Sequence, residues 1–184
     1  MPLTPLHYPL AYALKQADRR LSLPALTVGA VIPDIECPIL ILLFPYLPDH
    51  LFLHSLVGAL TLGTGLAIVI TGVVYSPVMS RVFGLDRNTL DAACEITPVM
   101  VGSCTIGVLS HLAIDYTMHP YNPLLWPWID PFALPGPLVI LFGNGNIDTG
   151  FVLAEAVVNG LMVFFWLVVI FANRRNLWSS LWVG

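Results

Sequence analysis

The sequence predicts an all-α fold, a polytopic membrane helix bundle with four full transmembrane helices, the first of them kinked, and an N-terminal half-spanning helix. Of the 184 residues, 57% are apolar and only 10% are charged, and the mean hydropathy is +0.83. Soluble domains carry about 25% charged residues, so this composition cannot form an ordinary water-facing surface. The apolar content excludes a disordered chain, and the length fits one membrane-embedded domain over residues 1–184.

The four full spans are segments long and apolar enough to cross a hydrocarbon core of about 30 Å, which requires about 20 helical residues. Pro33 and Pro38 remove backbone donors from the first segment and should kink it. A break inside a membrane persists only where protein or a water-filled cavity satisfies the freed carbonyl groups, so this break indicates a site. The predicted spans cover residues 21–46, 51–75, 92–116 and 151–172.

The half-spanning helix is expected over residues 4–17, with Thr4 as its N-cap and Pro5 as its first helical residue. Its rise of about 20 Å covers only part of a crossing. The segment 117–150 is rich in proline and aromatic residues. Its prolines exclude a long helix, and it is expected to be a loop outside the membrane core.

Positive charge predicts the orientation, because cytoplasmic connections are enriched in Lys and Arg. All seven cations precede the first span, separate the second from the third, or follow the fourth. The C-terminus of this multi-pass protein is therefore expected in the cytoplasm, and residues 117–150 on the other side of the cell membrane. Seven Lys and Arg against eleven Asp and Glu, with no basic run, exclude nucleic-acid binding as the main task.

Ionisable residues inside a span are functional candidates, because a charge near the bilayer centre costs about 2.5 kcal/mol or more. A helical rise of 1.5 Å per residue lifts Asp34 about 21 Å above Arg20, and His7 about 18 Å above Arg19. The second and third spans also carry ionisable residues near their outer ends. Five residues are therefore expected at one height in the outer half of the membrane: His7, Asp34, His54, His111 and Asp115.

Three imidazoles and two carboxylates at one level are the donors of a metal site. Neutral imidazole and carboxylate bind Zn²⁺ at about 2.0 to 2.2 Å, and the cation offsets the desolvation of the carboxylates. His111 and Asp115, four residues apart, share one helix face. The five residues could serve one metal with supporting side chains, or two metals about 3.5 to 4 Å apart. Zn²⁺ is the expected divalent metal, with Mn or Fe also compatible because no thiolate is included.

Other candidates are given structural roles. His50 is expected to be a solvated loop residue. Cys37, Cys94 and Cys104 match neither a zinc ribbon nor a CxxC pair, and they are expected to be buried, inert thiols.

Short motifs suggest a family. Residues 1–7 (MPLTPLH), 29–36 (GAVIPDIE), 53–56 (LHSL) and 109–115 (LSHLAID) resemble, in that order, the predicted membrane-bound metal-dependent hydrolases of bacteria and archaea. The motif HPYNP at residues 119–123 is similar to the archaeal branch. The resemblance implies a multi-helix membrane fold with metal ligands at His7, Asp34, His54, His111 and Asp115. The same set also looks like a remote version of the zinc-dependent phospholipase C arrangement.

Two positions depart from the family pattern. Many members have Asp where Glu36 stands, and a His-Arg pair precedes their His-Ser element. Here residues 48–50 are Pro, Asp and His, with no arginine. An anionic substrate group bound by that arginine is therefore not expected in this chain.

Two functions follow as hypotheses. The first is a hydrolase in which a metal-activated water attacks a phospholipid or prenyl-phosphate headgroup, with Glu36 or His119 as the catalytic general base or acid. The second is a non-enzymatic subunit of a larger membrane complex or a homo-oligomer, in which the polar layer is structural or handles protons or ions. Haem ligation by two facing histidines is a weaker alternative, because it leaves Asp34 and Asp115 unexplained.

Overall fold

The structure is a computed structural model that describes residues 4–184, and every regular element within that range is helical. Residues 1–3, which open the first family motif, lie outside the described residues. The chain starts with a 3-10 turn, Thr4–His7, which continues into helix α1, Tyr8–Ala17. The short N-terminal helix is confirmed, and it ends at the predicted residue.

The first predicted span is broken into two helices, α2 (Leu23–Gly29) and α3 (Glu36–Leu43), and the 3-10 turn Ile32–Ile35 leads into α3. The two arms are bent by 40°. The predicted kink is confirmed and lies just before Pro33, which cannot donate to the carbonyl groups that precede it. Pro38 lies in the first turn of α3, where a missing donor is tolerated.

The second span, helix α4 (Leu56–Phe83), is longer than predicted and starts five residues later. It starts there because Ser55 caps it, with the Ser55 side chain accepting a hydrogen bond from the Gly58 N–H at 3.0 Å. His54 therefore precedes the helix, and its predicted position within the span was wrong. A short helix, α5 (Arg87–Ala93), precedes the third span, α6 (Pro98–Met118), which Thr97 caps.

The segment 117–150, predicted as a loop, also contains helix α7 (Pro137–Gly143). This helix packs in a hairpin against the last span, α8 (Ile147–Ala172). An added Cβ at Gly150 would lie 2.0 Å from the Val139 carbonyl oxygen, so only glycine fits at this contact. The prolines of this segment were predicted to exclude a long helix, and Pro137 begins a helix of seven residues, where its missing donor is tolerated.

Three helices, α4, α6 and α8, are long and apolar enough to span a membrane, and the bent pair α2 and α3 makes a fourth candidate. The predicted helical membrane bundle is therefore confirmed. At its centre α2 and α6 touch backbone to backbone, since a Cβ at Gly107 would lie 2.5 Å from the Leu26 carbonyl oxygen. In a short C-terminal helix, α9 (Leu177–Trp182), Leu181 packs in a cluster with Tyr8 of α1 and Val169 of α8.

Candidate metal centre

All five histidines of the chain lie in one buried cluster, although nothing in a helix bundle requires them to meet. None of the five is more than 4% exposed. Among the described residues, every ion-pair partner of the three cluster carboxylates is a histidine, so no Lys or Arg neutralises them. The cluster comprises His7, Asp34, Glu36, His50, His54, His111, Asp115 and His119.

Each side chain of the cluster comes from a feature that the sequence encodes locally. The N-terminal 3-10 turn carries His7, and the turn after the kink carries Asp34. His54 comes from the loop that ends at the cap of α4. His111 and Asp115 lie one turn apart on the same face of α6. The structure thus brings together all five of the residues that the sequence predicted at one height.

Four of these residues present ligand atoms around one point. The Nε2 atoms of His54 and His111 lie 3.2 Å apart. Asp34 Oδ1 lies 3.6 and 3.3 Å from these two nitrogens, and Asp115 Oδ2 lies 3.4 and 3.2 Å from them. Ligands at the usual Zn–N and Zn–O distances occupy tetrahedral corners about 3.3 Å apart. The five measured edges therefore match a tetrahedral site with two nitrogen and two oxygen ligands.

The opposite ring nitrogens of the two histidines are already engaged. His54 Nδ1 lies 2.7 Å from Glu36 Oε1, and His111 Nδ1 lies 2.8 Å from the carbonyl oxygen of Ala30, the residue at the kink. Both contacts require a proton on Nδ1, because oxygen only accepts there. When both rings are neutral, their Nε2 lone pairs face and repel each other. A cation between them removes this repulsion.

Glu36 makes the contacts of a positioning residue. Its Oε1 accepts hydrogen bonds from His54 Nδ1 and from the Leu51 N–H at 2.8 Å, and its Oε2 accepts one from the Leu53 N–H at 2.7 Å. These bonds fold the loop before α4 against the kink and orient the His54 ring. The role of Glu36 in proton transfer stays a prediction.

Glu36→Gln is expected to weaken metal affinity about 10- to 100-fold, because a carboxylate that orients a ligand histidine also raises its basicity. The measurement is Zn²⁺ titration of chelator-stripped protein in detergent. Asp148→Asn, on an exposed residue of α8, is the control and should leave the affinity unchanged. Unchanged affinity in Glu36→Gln together with lost activity would instead indicate a general base.

His7 lies beside the four candidate ligands rather than among them. Its ring stacks on His111 with centroids 3.9 Å apart, and its Nε2 lies 3.6 Å from Asp115 Oδ1. Neither nitrogen of His7 has a hydrogen-bond partner among residues 4–184. Its predicted role as a ligand therefore stays a prediction.

His119, the other predicted acid or base, follows the last residue of α6. Its Nε2 lies 3.8 Å from Asp115 Oδ1 and has no hydrogen-bond partner in the described part of the chain. Burial lowers the pKa of His119 to about 4, although the Asp115 carboxylate opposes this shift. The ring is therefore neutral near pH 7 and can accept a proton or bind a cation.

The burial of His50 was not predicted from the sequence, whereas that of Cys37 was. His50 was predicted to be solvated but is only 2% exposed, and its ring meets those of His54 and His119 edge to face. The Cys37 thiol is buried, as expected, and its Sγ lies 3.9 Å from Asp34 Oδ1. Both His50 and His54 lie in the loop before α4, so no helical spacing could have indicated that His50 joins the cluster.

Asp49 borders the cluster on its exposed side. The His50 imidazole, whose Nδ1 is 3.1 Å from Asp49 Oδ1, and the hydroxyl of Tyr121, which donates to the same oxygen, hold the pKa of Asp49 well below its usual range. Its partial burial opposes this shift. Asp49 is thus a fixed carboxylate that orients His50.

Comparison with known protein families matches residues 6–183 to the YdjM inner membrane protein family. No curated protein and no solved structure matches the chain. The match extends over almost the whole chain and agrees with the membrane-spanning helices. It supports a membrane protein family, whereas the hydrolase activity and the archaeal branch implied by the sequence motifs are not part of it. The chain belongs to the YdjM inner membrane protein family.

Proposed function

We propose that the protein is an integral membrane metal-dependent hydrolase that acts on a lipid phosphoester. The observation that carries the proposal is the pair of histidine Nε2 atoms 3.2 Å apart, framed by two buried carboxylates. Zn²⁺ suits this nitrogen and oxygen donor set, and Mn or Fe would also fit it. The four ligands would be His54, His111, Asp34 and Asp115.

Charge balance favours a divalent cation over a proton at this point. Three carboxylates, Asp34, Glu36 and Asp115, are each less than 9% exposed. The 3.2 Å gap between the Nε2 atoms of His54 and His111 has room for one shared proton. That proton would leave two uncompensated negative charges in a membrane interior, which is strongly unfavourable. A divalent cation removes two charges and leaves only one, which the three backbone N–H groups bonded to Glu36 stabilise.

A small polar cavity beside the four ligands favours catalysis over a purely structural metal. Four protein ligands fill a tetrahedral zinc site, so a catalytic water would take a fifth position, which zinc can accept during reaction. A cavity of about 10 Å³, the size that one water requires, is lined by His50, His54, Asp115, His119 and Tyr121 among others. A bound divalent metal would supply a water of lowered pKa and polarise the ester oxygen. His119, neutral and beside the cavity, offers its Nε2 to a proton or to a cation.

An apolar groove supports a lipid as the substrate. It has a volume of about 390 Å³, within the range of small-molecule sites, and its lining is almost entirely apolar. The turns Thr4–His7 and Ile32–Ile35 carry His7 and Asp34 of the cluster and also line the groove. From there the groove extends along α4 as far as Met79. A lipid whose headgroup lies at the cluster would place a chain in it.

The proposed orientation puts the cluster in the outer half of the cell membrane and the C-terminus in the cytoplasm, as the seven cations indicate. A lipid of the outer leaflet would then extend its chain from the cluster toward the bilayer centre. A green fluorescent protein fused after Gly184 should fluoresce in cells. A dark fusion at this position, together with activity of a reporter enzyme that works only outside the cytoplasm, would reverse the orientation.

Val74→Trp should raise the KM for a long-chain lipid phosphoester about 10-fold, because the indole fills the groove that receives the chain. Hydrolysis of a short-chain, water-soluble phosphoester should be unchanged. Val73→Trp is the matched control, since Val73 is the preceding residue, is 66% exposed and does not line the groove. Equal effects of the two variants, or equal loss with both substrates, would contradict the groove as the chain site.

Metal removal and reloading test the proposed function itself. Protein purified in detergent, stripped with a chelator and assayed on mixed micelles of phospholipids or prenyl phosphates should release no headgroup or phosphate. Reloading with Zn²⁺ or Mn²⁺ should restore cleavage. Equal cleavage with and without metal, or none by fully loaded protein on any of these esters, would contradict the proposal.

A further inference from the structure

Asp115 presents its two carboxylate oxygens to two different sets of imidazoles. Its Oδ2 faces the Nε2 atoms of His54 and His111. Its Oδ1 lies 3.6 Å from His7 Nε2 and 3.8 Å from His119 Nε2. Neither oxygen has a hydrogen-bond partner among residues 4–184. A carboxylate whose two oxygens face two different sets of imidazole nitrogens has the arrangement of a bridging metal ligand.

The second set of donors is as deeply buried as the first. His50 and His119 are 2% and 4% exposed, and their ring centroids lie 4.8 Å apart. Ligand atoms of His50, Asp115 and His119 all lie within 4.8 Å of one another. Within the described chain, the Nε2 atoms of His50 and His119 have no hydrogen-bond partner, while His50 Nδ1 faces Asp49. Buried polar atoms without partners are rare in native proteins, so these atoms indicate a missing ligand.

A single metal between His54 and His111 does not account for these atoms. It would use Asp115 Oδ2 and leave Asp115 Oδ1 and the Nε2 atoms of His7, His50 and His119 without a partner among residues 4–184. We propose that a second divalent cation binds at Asp115 Oδ1, with His50 and His119 as ligands and His7 at the fourth position. This second metal position rests on the proposed function for the first. Asp115 bridges the two ions.

The charges around the two positions agree with two divalent ions. Four carboxylates, those of Asp34, Glu36, Asp49 and Asp115, border the cluster, and two divalent cations balance them. Asp49, 3.1 Å from His50 Nδ1, orients that ring toward the second ion in the same way that Glu36 orients His54 toward the first. The pattern of a ligand histidine backed by a carboxylate therefore occurs twice.

The second ion also narrows the class of substrate. The water-sized cavity is lined by His54 from the first ligand set, by His50 and His119 from the second, and by the bridging Asp115. In two-metal sites the ions lie about 3.5 to 4 Å apart and together clamp the attacking and leaving oxygens of a phosphoryl group. The site is therefore suited to a phosphoester in preference to a carboxylic ester.

Metal stoichiometry tests the proposal. Chelator-stripped protein is reloaded with Zn²⁺, dialysed, and analysed for zinc per chain by mass spectrometry. We expect two ions in the wild type, and one each in His119→Ala and His50→Ala. The same proteins loaded with Mn²⁺ should give the electron paramagnetic resonance spectrum of a coupled pair in the wild type and of an isolated ion in the variants.

The outcomes separate this inference from the proposed function. One ion in the wild type and one in His119→Ala would overturn the second position and leave the first intact. Two ions in the wild type and in His119→Ala would overturn His119 as a ligand. Loss of all metal from both His119→Ala and His50→Ala would overturn the claim that the two positions bind metal separately. A wild type that binds no metal would instead overturn the proposed function.

Discussion

His111→Ala is expected to abolish binding of the first metal and to lower hydrolysis of a lipid phosphoester at least about a thousandfold, which corresponds to about 4 kcal/mol of transition-state stabilisation. His111 is fully buried and supplies one Nε2 ligand at the proposed position. Its removal leaves the Asp34 and Asp115 carboxylates facing each other without the His111 imidazole between them. It also leaves the Ala30 carbonyl without its partner, which costs about 1 to 3 kcal/mol of stability.

The measurement is zinc per chain and turnover on the same sample, with thermal unfolding in detergent as the check on folding. Ser110→Ala, one residue away on α6, is the matched control, because within residues 4–184 the Ser110 hydroxyl donates only to the Gly107 carbonyl of its own helix. It should keep both metal and activity. A His111→Ala protein that retains the zinc content of the wild type would refute the ligand assignment.

Gly107→Ala is expected to destabilise the protein by about 1 to 3 kcal/mol or more, although it adds only one methyl group. The new Cβ would lie 2.5 Å from the Leu26 carbonyl oxygen and 3.0 Å from the Gly29 Cα. These are backbone atoms and cannot rotate away, so α2 must separate from α6. That movement also stretches the bond between His111 and the Ala30 carbonyl, and metal affinity should fall with stability.

Gly102→Ala, on the same helix, is the control for this change. A Cβ at Gly102 meets nothing within 4 Å. Alanine there should be neutral or stabilise the helix by up to about 1 kcal/mol. Thermal unfolding in detergent compares the two variants, and equal melting temperatures would show that α2 and α6 are not in close contact at Gly107.

Local patterns in the sequence were sufficient to predict the spans. Hydropathy located the helices, and Pro33 located the kink, because both depend on a few consecutive residues. The start of α4 could not be predicted from hydropathy, since Leu51 and Leu53 are as apolar as the helix that follows. It depends on the Ser55 cap and on Glu36, which binds the backbone of the preceding loop.

The positions of site residues could be predicted where they follow from helical rise, but not where they depend on the path of a loop. Helical rise placed Asp34, His111 and Asp115 at one level, which the structure brings together. His50 was misread because its burial results from a tertiary contact, in which Glu36 draws the loop 51–54 inward. His50 then faces His119, whose position after α6 depends on where that helix ends.

X-ray absorption at the zinc edge of the reloaded wild-type protein tests the central claim most directly. The claim is that buried imidazole and carboxylate groups from the kink, the loop before α4, and α6 together hold a metal ion. The account predicts a shell of nitrogen and oxygen atoms at about 2.0 to 2.2 Å with the scattering pattern of imidazole. A sulfur shell at about 2.3 Å, which would indicate Cys37, or protein that retains no zinc, would contradict it.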